Sequence, residues 1–574
     1  MGDGGHRKGL AERIAGLSPA KRGLMLRRLG RSARSGHEVL AEQLAALGIS
    51  HVYTITGVPI DRALACCAER GIRVVGARDQ RGAALAALGQ NYQAGRLAAA
   101  VIVSAGPAVT NTATAIHSAA ANCWPLLVIG GCAANNLRGM GEFQELDGAG
   151  LFASLCRFSA RVPAVAELPA MIARAVAAAT QGRPGPAYVD IPADVLAAQP
   201  DEALAPVALP AYAPPRAERE ALRQAAALLR AARRPLLVVG KGLRWSEPFA
   251  ELRALTDAIG LPFVCSPMGR GFLPDDHPLC LDALHADALA QADVVLLLGA
   301  RLDWTFRFGA ELAPDVRLVQ IDIEPTEIGR NVAATVGIVA DLGEALRAVL
   351  AELDGFRVGA DVDAWIAQLQ RRRDARKRAL AAAAAGPESP LSPHALCAEL
   401  AQVLPADAVC VLDGATILAA AQQLLPARTP LSRYTPGSNG CLGSGIPFAI
   451  GARLQSPQRL VVAVCGDLAA GFSLMEIETA VRYQLPLIVV IANNGGPFGL
   501  DKQRRYHARP HADPVAAFQS AIRYEQICSA LGGHGEFVDG PGQFADAWRR
   551  ARASGKPTCI NVIVDPLAPY AGRD

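Results

Sequence analysis

From Gly466 to Gly496 the chain reads GDLAAGFSLMEIETAVRYQLPLIVVIANNGG. An apolar run ends at Cys465, and Gly466 and Asp467 form the turn after it. A helix is expected from near Phe472 to about Tyr483, and a second apolar run ends at Asn493-Asn494. As neighbouring strands of a parallel sheet, the two runs deliver Asp467 and Asn494 to one sheet edge. There Asp467 offers a carboxylate, Asn494 an amide oxygen and Gly496 a carbonyl. Oxygen ligands suit a hard cation such as Mg²⁺. The N–H groups after Asp467 and the N-terminus of that helix suit phosphate. This is the chemistry of a metal-bridged diphosphate. The plain alternative is an ordinary βαβ unit with a polar turn. The spacing, the MEIETAVRY helix and the NNGG end together argue against it.

The positioning elements repeat along the chain. AAAVIVSAG, WPLLVIGG, RPLLVVGKG, ADVVLLLGA, RLVVAVCGD and LPLIVVIANN read as strands buried on both faces, and alanine-rich helical stretches alternate with them. The class is α/β, with three doubly wound parallel-sheet domains. A Pro-rich seam at 205–218 and a basic helix running into GPESPLSP near 370–393 separate them. The domains are expected near 35–204, 217–355 and 390–574. The 574 residues are too many for one core. A formal charge of +4, with 19% charged residues, gives no argument for a nucleic-acid partner. No long uncharged apolar run predicts a membrane span. Thirteen cysteines without a C-x-x-C pair favour neither structural zinc nor a disulfide framework. With no secretory signal read, they are expected as buried thiols in a reducing cytoplasm.

These residues resemble the signature of thiamine diphosphate (ThDP) enzymes, G-D-G, then about 25–30 residues, then N-N. Gly466, Asp467, Asn493 and Asn494 match it, and Leu468 departs at the third position. The resemblance implies ThDP and Mg²⁺, with Asp467, Asn494 and Gly496 as metal ligands. It implies that Gly466, Leu468, Ala469 and Asn494 surround the diphosphate. DGATI (413–417) resembles a second diphosphate loop, D-G-A-N-T, so Gly414, Ala415 and Thr416 are cofactor candidates, with Thr416 replacing Asn. In TPGSNGCLGSGIPFAIGA (435–452), Gly440 would lend a carbonyl to the aminopyrimidine and Leu442 would prop the bent cofactor. Pro497-Phe498 stand where relatives carry a Tyr near the substrate.

NCWPLLVIGG, MGEFQELDG, GRPGPAYVDIPADV, LPFVCSPMGRGFLPDDHP, GARLDWTFRFG and VQIDIEPTEIG resemble the 2-hydroxyacyl-CoA lyase and oxalyl-CoA decarboxylase branch. The resemblance covers about residues 36–574. It implies a pyrimidine-binding, a central and a diphosphate-binding domain, and a homodimer or homotetramer with the active site between subunits. By the same likeness Lys241, Arg301 and Asp322 would bind the ADP part of CoA. Two cations for phosphates and a carboxylate for a ribose hydroxyl make physical sense; solvated loop residues are the alternative. Phe143 and Gln144 match a segment near the thiazolium. His51, His117 and His507 are candidate proton carriers or simply surface or satisfied histidines. The chain's end, PYAGRD, is similar to a tail that closes over CoA thioesters.

The departure that matters is Gln80. In this family a Glu in a context like R-N-E-Q-A-A bonds the aminopyrimidine; ARDQRGAALAA (77–87) puts Gln80 there. An amide keeps a hydrogen bond but cannot share a proton. Three readings stand: a slower or altered reaction, as in glyoxylate carboligase, which works with an apolar residue there; Asp79 swinging in, although a strand-like loop points it to the opposite face; or cofactor binding without turnover.

Residues 1–34 are Arg-rich and acid-poor. Within them, 10–30 resemble the helical linker before condensation domains of peptide synthetases, which implies a carrier-protein partner and secondary metabolism. A transit peptide and a disordered basic tail are the alternatives. The expected function is a ThDP-dependent lyase, decarboxylase or carboligase acting on a 2-oxo or 2-hydroxyacyl thioester or an aldehyde. The alternatives are a catalytically impaired assembly or regulatory protein, and a ligase like glyoxylate carboligase or acetolactate synthase.

Overall fold

A computed structural model of the chain describes residues 34–385, 389–497, 517–519 and 521–568. The helices expected before residue 34, Phe498, His507 and the tail 569–574 lie outside the described residues.

Three parallel sheets follow one another. The first has β1 (His51–Ile55), β2 (Arg73–Gly76), β3 (Ala99–Val103), β4 (Leu126–Cys132), β5 (Phe158–Arg161) and β6 (Pro186–Pro192) in the order β2-β1-β3-β4-β6-β5. The second has β7 (Pro235–Val239), β8 (Phe263–Cys265), β9 (Val294–Leu298), β10 (Arg317–Asp322) and β11 (Val336–Val339) in the order β11-β10-β9-β7-β8. The third has β12 (Val409–Asp413), β13 (Arg433–Tyr434), β14 (Val461–Gly466), β15 (Ile488–Asn493), β16 (His534–Val538) and β17 (Thr558–Ile563), ordered β13-β12-β14-β15-β17-β16. The first and third sheets thus share one winding. The central strands β3, β7, β9, β12 and β15 are buried along their whole length. Buried apolar runs flanked by helices are what parallel strands require, because crossover helices cover both faces.

Each sheet has a switch point where the winding reverses, and there the loops part to leave a crevice. It lies between β1 and β3, between β7 and β9, and between β12 and β14.

The first and third domains share a core. Helix Gln80–Ala94 lies on helix Gly445–Gln455, and their residues join one apolar cluster with Tyr53, Trp124 and Tyr434. Glycine makes this approach possible. A Cβ on Gly451 would sit 2.1 Å from the Ala86 carbonyl oxygen, and one on Gly89 would sit 2.8 Å from Phe448 Cα.

One expected element differs. The helix read as beginning near Phe472 begins at Asp467 itself, runs to Gly471, and resumes at Glu476–Arg482. Gly466 takes the extended N-cap conformation, φ −71° and ψ 157°, so the chain turns directly from β14 into a helix. No helix among the described residues is long and apolar enough to cross a membrane.

Candidate functional site

The β14–β15 register pairs Cys465 with Ile491 and Gly466 with Ala492. Asp467 and Asn494 therefore leave the sheet side by side. With the switch-point loop after β12 they line a cavity, open to solvent at its mouth, of about 600 Å³ with that open space included. Its lining includes Gly414, Ala415, Thr416, Leu442, Gly466, Asp467, Leu468, Ala469, Asn494, Gly496 and Pro497. Most of the residues that the sequence singled out for the cofactor and metal thus line one cavity. Gly440 does not line it in the single chain. It is exposed, in the left-handed conformation at φ 61°, two residues before Leu442.

Glycine is required where the two loops meet. Gly414 has φ 112°, and a Cβ there would lie 3.0 Å from the Gly466 nitrogen. The Gly414 loop can approach Gly466 in this conformation only without a side chain at 414.

Asp467 is 2% exposed. Its Oδ1 accepts the Leu468 N–H at 2.9 Å, and its Oδ2 is buried without a hydrogen-bond partner. Burial pushes its carboxyl up to about 6, against the pull of nearby backbone N–H groups. A second carboxylate stands behind the loop. Asp413 accepts the Gly445 N–H on Oδ2 at 2.8 Å and has no partner for Oδ1; burial pushes it up to about 7. Sequence reading quoted Asp413 in its motif but gave it no role, although an Asp closing a fully apolar strand was the available signal. An orphaned, buried carboxylate oxygen beside an amide side chain and a glycine carbonyl is a fitting donor set for a hard dication. A bound dication would offset the burial cost of Asp467 and lower its proton affinity. The helix starting at Asp467 and the half-buried Gly414–Thr416 loop beside it suit phosphate oxygens.

The residues expected for the other half of the site lie on the first domain, at the carboxyl edge of its sheet. Gln80 follows β2, and Phe143 and Gln144 follow β4. Within one chain none of them lines the cavity. Phe143 is 80% exposed. Gln144, with φ 58°, is packed against Gly106, where an added Cβ would lie 2.8 Å from the Gln144 carbonyl oxygen. Val58 and Met140 are exposed near the same edge.

The strand-like loop expected around Asp79 is instead a helix start. Asp79 is the N-cap of helix Gln80–Ala94 and accepts the Arg81 N–H at 2.6 Å. This capping role competes with any swing toward the site. Just before it, the backbone is gripped from the third domain. Glu476 Oε1 accepts the N–H groups of Arg78 and Asp79, each at 3.1 Å, and the Tyr483 hydroxyl accepts the Gly76 N–H at 2.7 Å. Glu476 is buried, its carboxyl raised by that burial, and its Oε2 accepts the Thr479 hydroxyl at 2.7 Å. Gly82 leaves room for it, since a Cβ there would lie 2.2 Å from Oε1. The sequence showed Glu476 only as part of a helix.

Lys241 and Arg301 come together at the switch point of the central sheet, where Gly240 and Gly299 touch. Both line a crevice of about 310 Å³ with Asp303, Thr305 and Ser438. Lys241 Nζ donates to Ser438 Oγ at 3.1 Å, and Arg301 donates to the Ala121 carbonyl and to Ser438 Oγ. Burial, then the charge of Arg301, pushes the Lys241 amine down to about 8. Asp322, at the end of β10, is outside this crevice; its carboxyl is pushed up to about 6 by burial. The two cations thus hold the seam of all three domains as well as facing the crevice.

Of the histidines, His51 hydrogen-bonds with Ser50 Oγ and Gln90 Nε2, each at 2.9 Å, and burial pushes its imidazole down to about 4. That is a satisfied, neutral histidine. His117 is exposed.

Three family models match the chain. They are the thiamine pyrophosphate enzyme N-terminal TPP binding domain over residues 34–151, the central domain over 222–349, and the C-terminal TPP binding domain over 413–562. Among curated proteins, 2-hydroxyacyl-CoA lyase 1 of Mus musculus is 33% identical, covering 94% of this chain and 96% of that protein. Oxalyl-CoA decarboxylase of Escherichia coli is 33% identical over 93% of this chain and 95% of its own length. A probable acetolactate synthase of Mycobacterium bovis is 35% identical over 93% and 96%.

Proposed function

The chain belongs to the thiamine pyrophosphate (ThDP) enzyme family, and on that premise we propose that it cleaves or forms a carbon–carbon bond in a 2-oxo or 2-hydroxyacyl thioester. The observation that carries this reading is the buried Asp467 with its orphaned Oδ2, set in the switch-point cavity beside Asn494 and Gly496. ThDP-dependent lyases and decarboxylases of this kind are the relatives it matches along nearly its whole length. When bound, the cofactor supplies a carbanion nucleophile and an electron sink.

The residues of the chain have separate tasks in this reading. Asp467, Asn494 and the Gly496 carbonyl hold Mg²⁺. The Gly414–Thr416 and Gly466–Ala469 backbones hold the diphosphate. Leu442, which lines the cavity, would pack against the bound cofactor. Gln80, Phe143 and Gln144 act on the cofactor held by a second copy of the chain, so the working unit is a homodimer or homotetramer. Their place on the exposed edge of the first domain, with Phe143, Val58 and Met140 uncovered, supports that pairing. Lys241 and Arg301 suit the phosphates of a CoA or carrier-protein thioester. The carrier-protein form would dock through residues 10–30, and deleting 1–34 is expected to abolish turnover of the carrier-bound thioester while sparing cofactor binding. Thirteen free cysteines, most of them buried, support a reducing, cytoplasmic setting.

One observation favours a second reading, a cofactor-binding protein without turnover: residue 80 is an amide, and the neighbouring acid, Asp79, caps its helix. Two measurements separate the readings. Mg²⁺-dependent ThDP binding by calorimetry is expected in the wild type and lost in Asp467→Ala; retained binding in the variant would overturn the site. Exchange of the cofactor's C2 proton for deuterium, read after acid quench, is expected to be faster than in free ThDP if the protein turns over. Exchange no faster than in free cofactor, restored by Gln80→Glu, would establish the second reading.

A further inference from the structure

Asn122 is the last residue of helix Ala113–Asn122 in the first domain, is 1% exposed, and reaches into the third domain. Its side-chain amide spans the backbone on both sides of Gly437. Oδ1 accepts the Ser438 N–H at 2.8 Å, and Nδ2 donates to the carbonyl of the buried Pro436 at 3.0 Å. A backbone N–H only donates and a carbonyl only accepts, so these two partners fix the direction of the amide. Two longer contacts agree with it: Lys241 Nζ donates to the same Oδ1 at 3.4 Å, and Nδ2 donates to Ser118 Oγ at 3.5 Å. The fit is close as well. Gly437 has φ 62°, and a Cβ there would lie 2.0 Å from Asn122 Oδ1.

The segment held in this way leads to the cofactor cavity. Gly437–Asn439 forms one short helical turn, the Gly440 N–H closes it on the Gly437 carbonyl at 3.3 Å, and Leu442 lines the cavity. At the far end Asp413 holds the Gly445 N–H. The central domain grips Ser438 by its hydroxyl and carbonyl, from Lys241, Arg301, Asp303 and Trp304. Asn122 instead holds the peptide groups on either side of Gly437, where the backbone takes the left-handed conformation. We propose that Asn122 is a positioning residue for the ring end of the cofactor: by fixing the turn at Gly437 it sets where Gly440 and Leu442 stand. This rests on the reading of the cofactor site above. The diphosphate end of the same ligand is held by the loops after β12 and β14, which Asn122 does not touch. The first domain then serves its own chain's cofactor through Asn122 and the partner's through Gln80.

The test compares two ligands by calorimetry on the full-length protein with Mg²⁺: ThDP, which has both ends, and inorganic pyrophosphate, which has only one. Asn122→Leu keeps the bulk of the side chain and removes both bonds to the turn. It is expected to weaken ThDP binding about tenfold, the worth of leaving a buried backbone group unpaired, and to leave pyrophosphate binding unchanged. Gly437→Ala keeps Asn122 and displaces the turn from the other side, through the Cβ that meets Oδ1. The same split between the ligands is expected, and this variant decides the matter if thermal melting shows that Asn122→Leu does not fold. An equal loss for both ligands, or no loss for either, would overturn the positioning role. A wild type that binds neither ligand would remove the reading of the cofactor site instead.

Discussion

Asp467→Asn should stabilise the metal-free protein while destroying the metal site. Burial raises the Asp467 carboxyl from the ordinary 3.8 to about 6. The stability tied to such a group is full below 3.8 and is lost as pH rises through about 6, because the folded state disfavours the charge that the unfolded chain accepts. The loss at pH 8 corresponds to about 3 kcal/mol. Asparagine keeps an oxygen for the Leu468 N–H and carries no charge, so it recovers most of this. The first and third domains share a core; an unfolding entropy of about 2.1 cal/mol/K per residue over roughly 340 residues turns 3 kcal/mol into a melting rise of about 4 °C. The assay is scanning calorimetry with a chelator at pH 8 and pH 5, followed by Mg²⁺ and ThDP at pH 8. The advantage of the variant should be full at pH 8 and fall to about half at pH 5. Cofactor and metal should raise the melting temperature of the wild type but not of the variant. A variant that melts below wild type at pH 8, or an advantage equal at both pH values, would refute the burial argument.

Three further outcomes are expected. Gly451→Ala places a Cβ 2.1 Å from the Ala86 carbonyl oxygen and 2.6 Å from the Gln90 nitrogen, both backbone; overpacking of about 1–3 kcal/mol should outweigh the gain in helix propensity, and chemical denaturation would measure it. Asp79→Ala removes the cap on Arg81 N–H and should cost about 1 kcal/mol, seen in hydrogen exchange as faster opening of the first turn of helix Gln80–Ala94. Phe143→Ala, at an 80% exposed position, should change chain stability by no more than about 0.5 kcal/mol, yet weaken self-association in sedimentation velocity and loosen ThDP binding.

Patterning made much of the architecture readable. Runs such as VVAVC (461–465) and LPLIVVIA (485–492) can satisfy their backbone and bury both faces only as inner strands of a parallel sheet, so their order along the chain implied the class. The 27 residues from Asp467 to Asn494 are one strand–helix–strand turn, and the fold carries both to the same edge. The local start of the helix was less legible. Nothing in LAAGFS marks a cap, and the extended Gly466 that begins the helix at Asp467 is a backbone state, not a residue pattern.

The sequence by itself determined the fold class, most of the strands, the cavity loops and the amide at residue 80, because each depends on residue type and spacing along one segment. Only the tertiary structure decided the rest. Asp413 and Asp467 are raised by burial that segments distant in sequence supply. Asp79 is spent as a cap, Glu476 reaches across from the third domain, and Asn111 meets Gln80 because β2 and β3 flank β1. These are contacts between residues 2 to nearly 400 positions apart. Hydrogen bonding and desolvation depend on distance in space, which the order of residues does not state.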